Sequence, residues 1–132
     1  MLAASTVPLV RIVATPASLD AFAPSLKRVA LRTAPDELMV LHASAADIAF
    51  TGDEHAIVEA DFGFSLISVS RSEFEQSVRP LIEWLIPTDG FPCLAQGLVG
   101  FVPAKLWFTH DGVRVIVATC FADTLLERMR SR

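Results

Sequence analysis

The chain has 132 residues, a formal net charge of −4 and a hydrophobic content of 52%. An acidic chain of this kind lacks the basic surface that binds nucleic acids or anionic membranes, so we expect neither as a partner. The length corresponds to one domain over residues 1–132, and the high apolar content indicates either a dense core or a face covered by a partner.

The N-terminal part predicts short strands around one helix. Residues 9–14 form an apolar run typical of a strand, and Thr15 followed by Pro16 is typical of a helix start. We predict a helix from Pro16 to Phe22, followed by strands over 27–33 and 38–42. Residues 43–50 fit either a short helix or a loop. Residues 1–26 are thus an N-terminal strand and helix, and 27–132 form the rest of the domain.

The middle of the chain predicts a second hairpin and a capped helix. The runs 55–61 and 64–69 have strand character and flank Phe62-Gly63, which we interpret as their turn. Ser70 and Glu73 have the spacing of a capping box. Apolar residues then recur at helical spacing as far as Leu85, and Pro80 predicts a kink near residue 79.

The C-terminal part predicts a hairpin and a long helix. Asp111-Gly112 separates two runs of alternating apolar residues, 104–108 and 113–118, which is a strong hairpin pattern. The period then changes to that of a helix, with Phe121, Leu125 and Met129 on one stripe and Thr119 as the expected N-cap. Antiparallel strands grouped between helices predict an α+β fold, an antiparallel sheet with two or three helices mostly on one face, near the ferredoxin-like type.

Residues typical of catalysis or metal binding do not form a recognisable pattern. The three histidines are neither near one another nor near a cysteine at a metal-ligand spacing, and no Gly-x-Ser-x-Gly motif occurs. Gly97 and Gly100 fit no phosphate-binding loop, so we interpret them as a bulge or a close backbone approach. We therefore assign no catalytic, cofactor-binding or metal-binding residue to this chain.

Two cysteines outside any CxxC motif are expected to be reduced thiols in the cytoplasm. The sequence has neither an apolar run long enough to span a bilayer nor a basic N-terminal region typical of a signal peptide. Both observations predict a cytoplasmic chain.

The sequence gives a candidate surface for binding a partner protein. Trp107 alternates away from the apolar positions 106 and 108, so it places a large aromatic ring on the less apolar side of its strand. We predict that it contributes to an interface with three further aromatic residues: Phe62, Phe64 and Trp84.

Five segments together resemble the gamma subunit of heterotetrameric sarcosine oxidase. PDELMVL (35–41) and HAIVEAD (55–61) are similar to two strands of that family, and the strand and capped helix after them fall in the same order. AQGL (95–98) with PAKLW (103–107), and then VATCFADTL (117–125), are similar to its C-terminal segments. The shared order covers the chain from about residue 27 to its end.

The resemblance implies a fold like that of the glycine-cleavage T protein and a non-catalytic small subunit that supports assembly of a flavin-dependent sarcosine or related secondary amine oxidase or dehydrogenase complex. It places the flavin and tetrahydrofolate in larger partner subunits. The alternative is a free-standing module that binds folate or another small molecule and forms a homo-oligomer. An enzyme whose active site assembles only in the folded chain is a third possibility, since catalytic triads need no sequence proximity.

Overall fold

The computed structural model describes residues 2–86 and 90–131, and these form an α+β fold with two antiparallel sheets. The chain divides into two compact units. We call residues 1–6 with 63–132 the terminal unit, and residues 7–62 the inner unit. The expectation of a single domain over 1–132 stays a prediction.

The strands, in chain order, are β1 (Ala4–Thr6), β2 (Leu9–Val13), β3 (Ala30–Ala34), β4 (Glu37–Leu41), β5 (Ile57–Asp61), β6 (Phe64–Val69), β7 (Cys93–Val99), β8 (Val102–Phe108) and β9 (Val113–Ala118). The α-helices are α1 (Pro16–Phe22), α2 (Arg71–Glu73) and α3 (Thr119–Arg130). Short 3₁₀ turns cover Ala23–Ser25, Ala45–Asp47 and Arg79–Leu81, and a π-helical turn covers Phe74–Val78.

The inner unit contains a four-stranded sheet in the order β3-β4-β2-β5. The predicted helix α1 is confirmed in its bounds, and the Thr15 hydroxyl accepts a hydrogen bond from the backbone N–H of Ser18. Leu19 of α1 is fully buried in a core cluster with alternate residues of β2 and β4. Alternation places these residues on one face of the sheet, which is why the helix packs there.

The terminal unit contains a five-stranded sheet in the order β1-β6-β9-β8-β7. The predicted alternation is confirmed, because residues 104, 106 and 108 of β8 and residues 113, 115 and 117 of β9 are buried in one core cluster. The same cluster contains buried residues of α3 and of the 71–81 helical segment. Its core therefore joins one face of the sheet to these helices.

The hairpin predicted around Phe62-Gly63 is wrong. β5 pairs with β2, whereas β6 pairs with β1 and β9, so the two strands belong to different sheets. The buried apolar residues of β6, Ile67 and Val69, join the core cluster of the terminal unit. Partner strands that complete this core lie far along the chain, and a local turn pattern carries no information about them.

The start of α3 also differs from the prediction. Thr119 is the first helical residue and does not cap the helix through its side chain; its hydroxyl instead lies 2.9 Å from the Ser65 hydroxyl. Leu125 and Met129 are buried as expected, together with Ala122 and Leu126, but Phe121 is exposed. The buried stripe is therefore shifted away from Phe121.

The helical segment after β6 follows the predicted course as far as Leu81. Ser70 and Glu73 form the capping box, and the helix changes to π and then 3₁₀ hydrogen bonding around Pro80, which has no N–H to donate. The apolar pattern overestimates its length, because Leu85 lies beyond the helix and is 95% exposed.

The capping box makes the stability of this segment sensitive to acid. The Ser70 backbone N–H donates to Glu73 Oε1 at 2.8 Å, and this bond, with one from the Ser70 hydroxyl, lowers the pKa of Glu73. A carboxyl group with a lowered folded-state pKa adds stability above its unfolded pKa, about 4.3, and loses it as the pH falls through the folded value. In denaturant unfolding, we expect the difference between the wild type and Glu73→Gln to shrink from pH 6 to pH 3. A difference that stays constant with pH would contradict this.

Candidate functional site

The tight turn between β7 and β8 holds an aromatic residue in a strained conformation. Gly100 and Phe101 have φ values of 55° and 67°, the φ signature of a type I′ hairpin turn. Glycine adopts this conformation at little cost, whereas a bulky residue rarely does. Phe101 is nevertheless 78% exposed, so burial of its ring does not offset the strain in this chain. Strained residues of this kind are concentrated at functional sites of proteins.

Hydrogen bonds from two helical segments fix the turn in place. The Gly100 N–H donates to the Leu81 carbonyl at 2.8 Å, and the Arg128 guanidinium of α3 donates to the Gly100 carbonyl. The end of the 71–81 segment and the end of α3 thereby hold both polar groups of Gly100. The position of Phe101 is consequently set by the rest of the terminal unit and does not depend on its own side-chain packing.

Trp84 packs closely on the neighbouring strand. Its Nε1 donates to the Leu98 carbonyl at 2.8 Å, and a Cβ atom on Gly97 would lie 2.5 Å from its Cε2. The sequence predicted a bulge or a close backbone approach at Gly97. Instead, Gly97 pairs regularly with Ala104, and the group that approaches it is the indole ring of Trp84. Leu98 itself is 49% exposed.

These residues form a continuous apolar patch, which we call the turn surface: Leu81, Trp84, Leu98, Gly100 and Phe101. They line a cleft of about 200 Å³ together with Glu83. Three of them line a second cleft of about 390 Å³ with Arg128 and Ser131. An exposed aromatic ring beside apolar clefts is typical of a protein–protein interface. The ring can insert into the partner, and side chains of the partner can fill the clefts.

The four aromatic residues predicted for an interface do not form one cluster. Phe62 ends the inner unit and is 68% exposed. Phe64 and Trp107 are half-buried. They share one face of the terminal sheet, because both of their strands pair with β9 in a register that places the two side chains on the same side. The Nζ of Lys105 lies 5.6 Å from the centre of the Phe64 ring, within the range of a cation–π contact. Only Trp84 belongs to the turn surface, and the interface role of all four stays a prediction.

Phe101 itself was missed by the sequence prediction. The preceding residue, Gly100, was interpreted as a bulge or a close backbone approach, and no turn was predicted there. A glycine between two apolar runs of equal length is a hairpin signal that was available, since Gly-X occurs in two-residue turns. The exposure of the Phe101 ring could not be predicted from the sequence, because it depends on where the 71–81 segment and α3 contact the turn.

Residues that could take part in metal or thiol chemistry are dispersed. Within residues 2–86 and 90–131, no group of three or more His, Cys, Asp or Glu side chains could hold a metal ion. Cys93 is half-buried, Cys120 is exposed, and both are free thiols.

Within the same described residues, no helix has the length and apolar character needed to cross a membrane. Comparison of the chain with protein-family models finds no match, and comparison with curated proteins finds none either.

Proposed function

We propose that this chain is a non-catalytic small subunit of a flavin-dependent complex that oxidises sarcosine or a related secondary amine, and that it supports the assembly of that complex. The proposal takes the class of complex from the resemblance of the ordered segments between residue 27 and the C-terminus. The observation that carries it is Phe101, an aromatic ring held by a strained backbone and left 78% exposed.

The turn surface is the docking face in this proposal. Large apolar side chains at the centre of an interface contribute most of its binding energy, and aromatic residues are enriched among them. Phe101 has the exposure of such an anchor, and the hydrogen bonds to Gly100 keep its position fixed before binding. A fixed anchor loses little conformational freedom when the partner docks, which favours affinity. The flavin and tetrahydrofolate belong to the larger partner subunits.

The second candidate is a small-molecule-binding module that forms a homo-oligomer. The cleft of about 390 Å³ beside Phe101 favours this function, because its volume lies within the usual range for ligand sites, about 300–1,000 Å³. Its position at the low end of that range argues against a ligand as large as folate. The adjoining cleft of about 200 Å³ is smaller still.

Replacing Phe101 with asparagine separates docking from stability. Asparagine tolerates positive φ, so we expect Phe101→Asn to raise the free energy of unfolding of the isolated chain by about 1 kcal/mol. The same change removes the exposed ring, so we expect capture of flavin-bearing larger subunits from native extract to fall at least tenfold. The measurement is the flavin absorbance and the mass of the proteins that elute with each tagged chain.

Phe121→Gln is the matched control, because it removes another exposed phenylalanine, from α3, outside the turn surface. We expect it to leave capture unchanged. A colourless, monodisperse homo-oligomer that captures no flavoprotein would contradict the subunit proposal and favour the second candidate. Equal loss of capture in both variants would contradict the assignment of the turn surface as the docking face.

A further inference from the structure

A third cleft of the terminal unit has a different chemical character from the two beside Phe101. It has a volume of about 230 Å³ and lies beside the turn that joins β8 to β9. Its polar lining comes from Ser68, Thr109, Asp111 and Arg114. The turn comes close to β6 here, because a Cβ on Gly112 would lie 2.5 Å from the Val69 carbonyl oxygen.

The strand register places a guanidinium on one wall of this cleft. Arg114 of β9 lies directly opposite Ser68 of β6 on one side and Trp107 of β8 on the other. The three side chains therefore share one face of the sheet, and the buried Val113 and Val115 lie on the other face. Arg114 is half-buried between these neighbours. A guanidinium in that position has lost part of its hydration and gains from an anionic partner.

Two opposite charges in this cleft have no partner among the residues that the structure describes. Among residues 2–86 and 90–131, neither the Arg114 guanidinium nor the Asp111 carboxylate forms an ion pair or a side-chain hydrogen bond, including with each other. Thr109 is engaged differently: its hydroxyl donates to the Gly112 carbonyl at 3.2 Å and accepts from the Asp111 N–H at 3.3 Å. These bonds hold the turn and leave the Asp111 carboxylate available.

The chemistry of the two charges defines the ligand. A guanidinium pairs with a carboxylate through two parallel hydrogen bonds, and a carboxylate accepts hydrogen bonds from an ammonium group. A phosphate would meet repulsion from Asp111, and a simple amine would meet repulsion from Arg114. We infer that this cleft binds a small amino acid as its zwitterion, with the carboxylate on Arg114, the ammonium on Asp111 and the Ser68 hydroxyl beside them.

The inference does not depend on the proposed function, because it concerns the isolated full-length chain and residues outside the turn surface. The test is an NMR titration of the backbone amides with glycine and β-alanine, whose charged groups are separated by different lengths. Acetate and methylammonium are the single-charge controls. We expect one zwitterion to shift the amides of residues 68 and 111–114 and to bind at least tenfold more tightly than either control. Absence of these shifts, or equal binding of acetate, would overturn the inference.

Variants of the two charged residues complete the test. We expect Arg114→Gln and Asp111→Asn each to weaken zwitterion binding about tenfold, and Arg114→Lys to weaken it less because the charge is kept while the planar fork is lost. His110→Gln, on the same turn but outside the cleft lining, should bind as the wild type does. Amide spectra report the fold of each variant. Wild-type affinity in folded Arg114→Gln would show that the cleft is not the site.

Discussion

Replacing Gly112 with alanine is expected to lower the free energy of unfolding by about 3 kcal/mol. Gly112 has φ of 155°, where an L-residue is strained by about 1–3 kcal/mol. The new Cβ would also lie 2.5 Å from the Val69 carbonyl oxygen, a backbone atom that can move only with β6. Overpacking of this kind adds about 1–3 kcal/mol. Denaturant unfolding of the purified variant measures the combined effect.

Gly90→Ala is the matched control for this prediction. Gly90 also has positive φ, 129°, but a Cβ there would meet no atom within 4 Å. The control therefore contains the backbone strain without the close contact, and we expect a loss of about 1–2 kcal/mol. Equal losses in the two variants would show that the approach of the turn to β6 contributes nothing.

Truncating one core residue in each unit is expected to produce the second large effect. Leu125 of the terminal unit and Ile12 of the inner unit are fully buried, so Leu125→Ala and Ile12→Ala should each lower the free energy of unfolding by about 3 kcal/mol. If residues 1–132 behave as a single domain, both variants unfold in one transition that shifts to lower denaturant. Circular dichroism and tryptophan fluorescence, followed together, measure whether the transitions coincide.

Leu85→Ala supplies the control for the core variants, because Leu85 is 95% exposed and its truncation should change stability by less than about 0.5 kcal/mol. Two separate transitions, with each variant shifting only one of them, would contradict the single-domain prediction. That outcome would mean that each unit completes its own core independently.

Local patterns predicted the parts of this fold that depend on local chemistry. The bounds of α1, the capping box at Ser70 and the alternation of β8 and β9 all follow from short-range rules of capping and periodicity. The pairing of β6 was not predictable in this way. One of its neighbours in the sheet, β1, lies far before it in the sequence, and the other, β9, lies far after it. These pairings are determined by the complete core and not by local sequence.

At the candidate site, too, the sequence predicted some features and not others. A bulge or a close backbone approach was expected at Gly97, and the structure instead places the indole ring of Trp84 against it. The exposure of Phe101 was not expected, since an apolar residue in an apolar stretch is normally assigned to the core. Its exposure depends on how the ends of two helices fix the backbone of Gly100, which no local pattern encodes.

The division of the terminal unit between the two ends of the chain has a consequence for how the protein forms on the ribosome. The β1 segment is synthesised before the inner unit, but its partner β6 emerges only after the whole of that unit, and β9 emerges later still. The inner unit is continuous and has all four of its strands before the other sheet can begin to close. The nascent chain therefore keeps β1 unpaired while the whole inner unit is synthesised, a period in which a chaperone or a neighbouring polypeptide can pair with it.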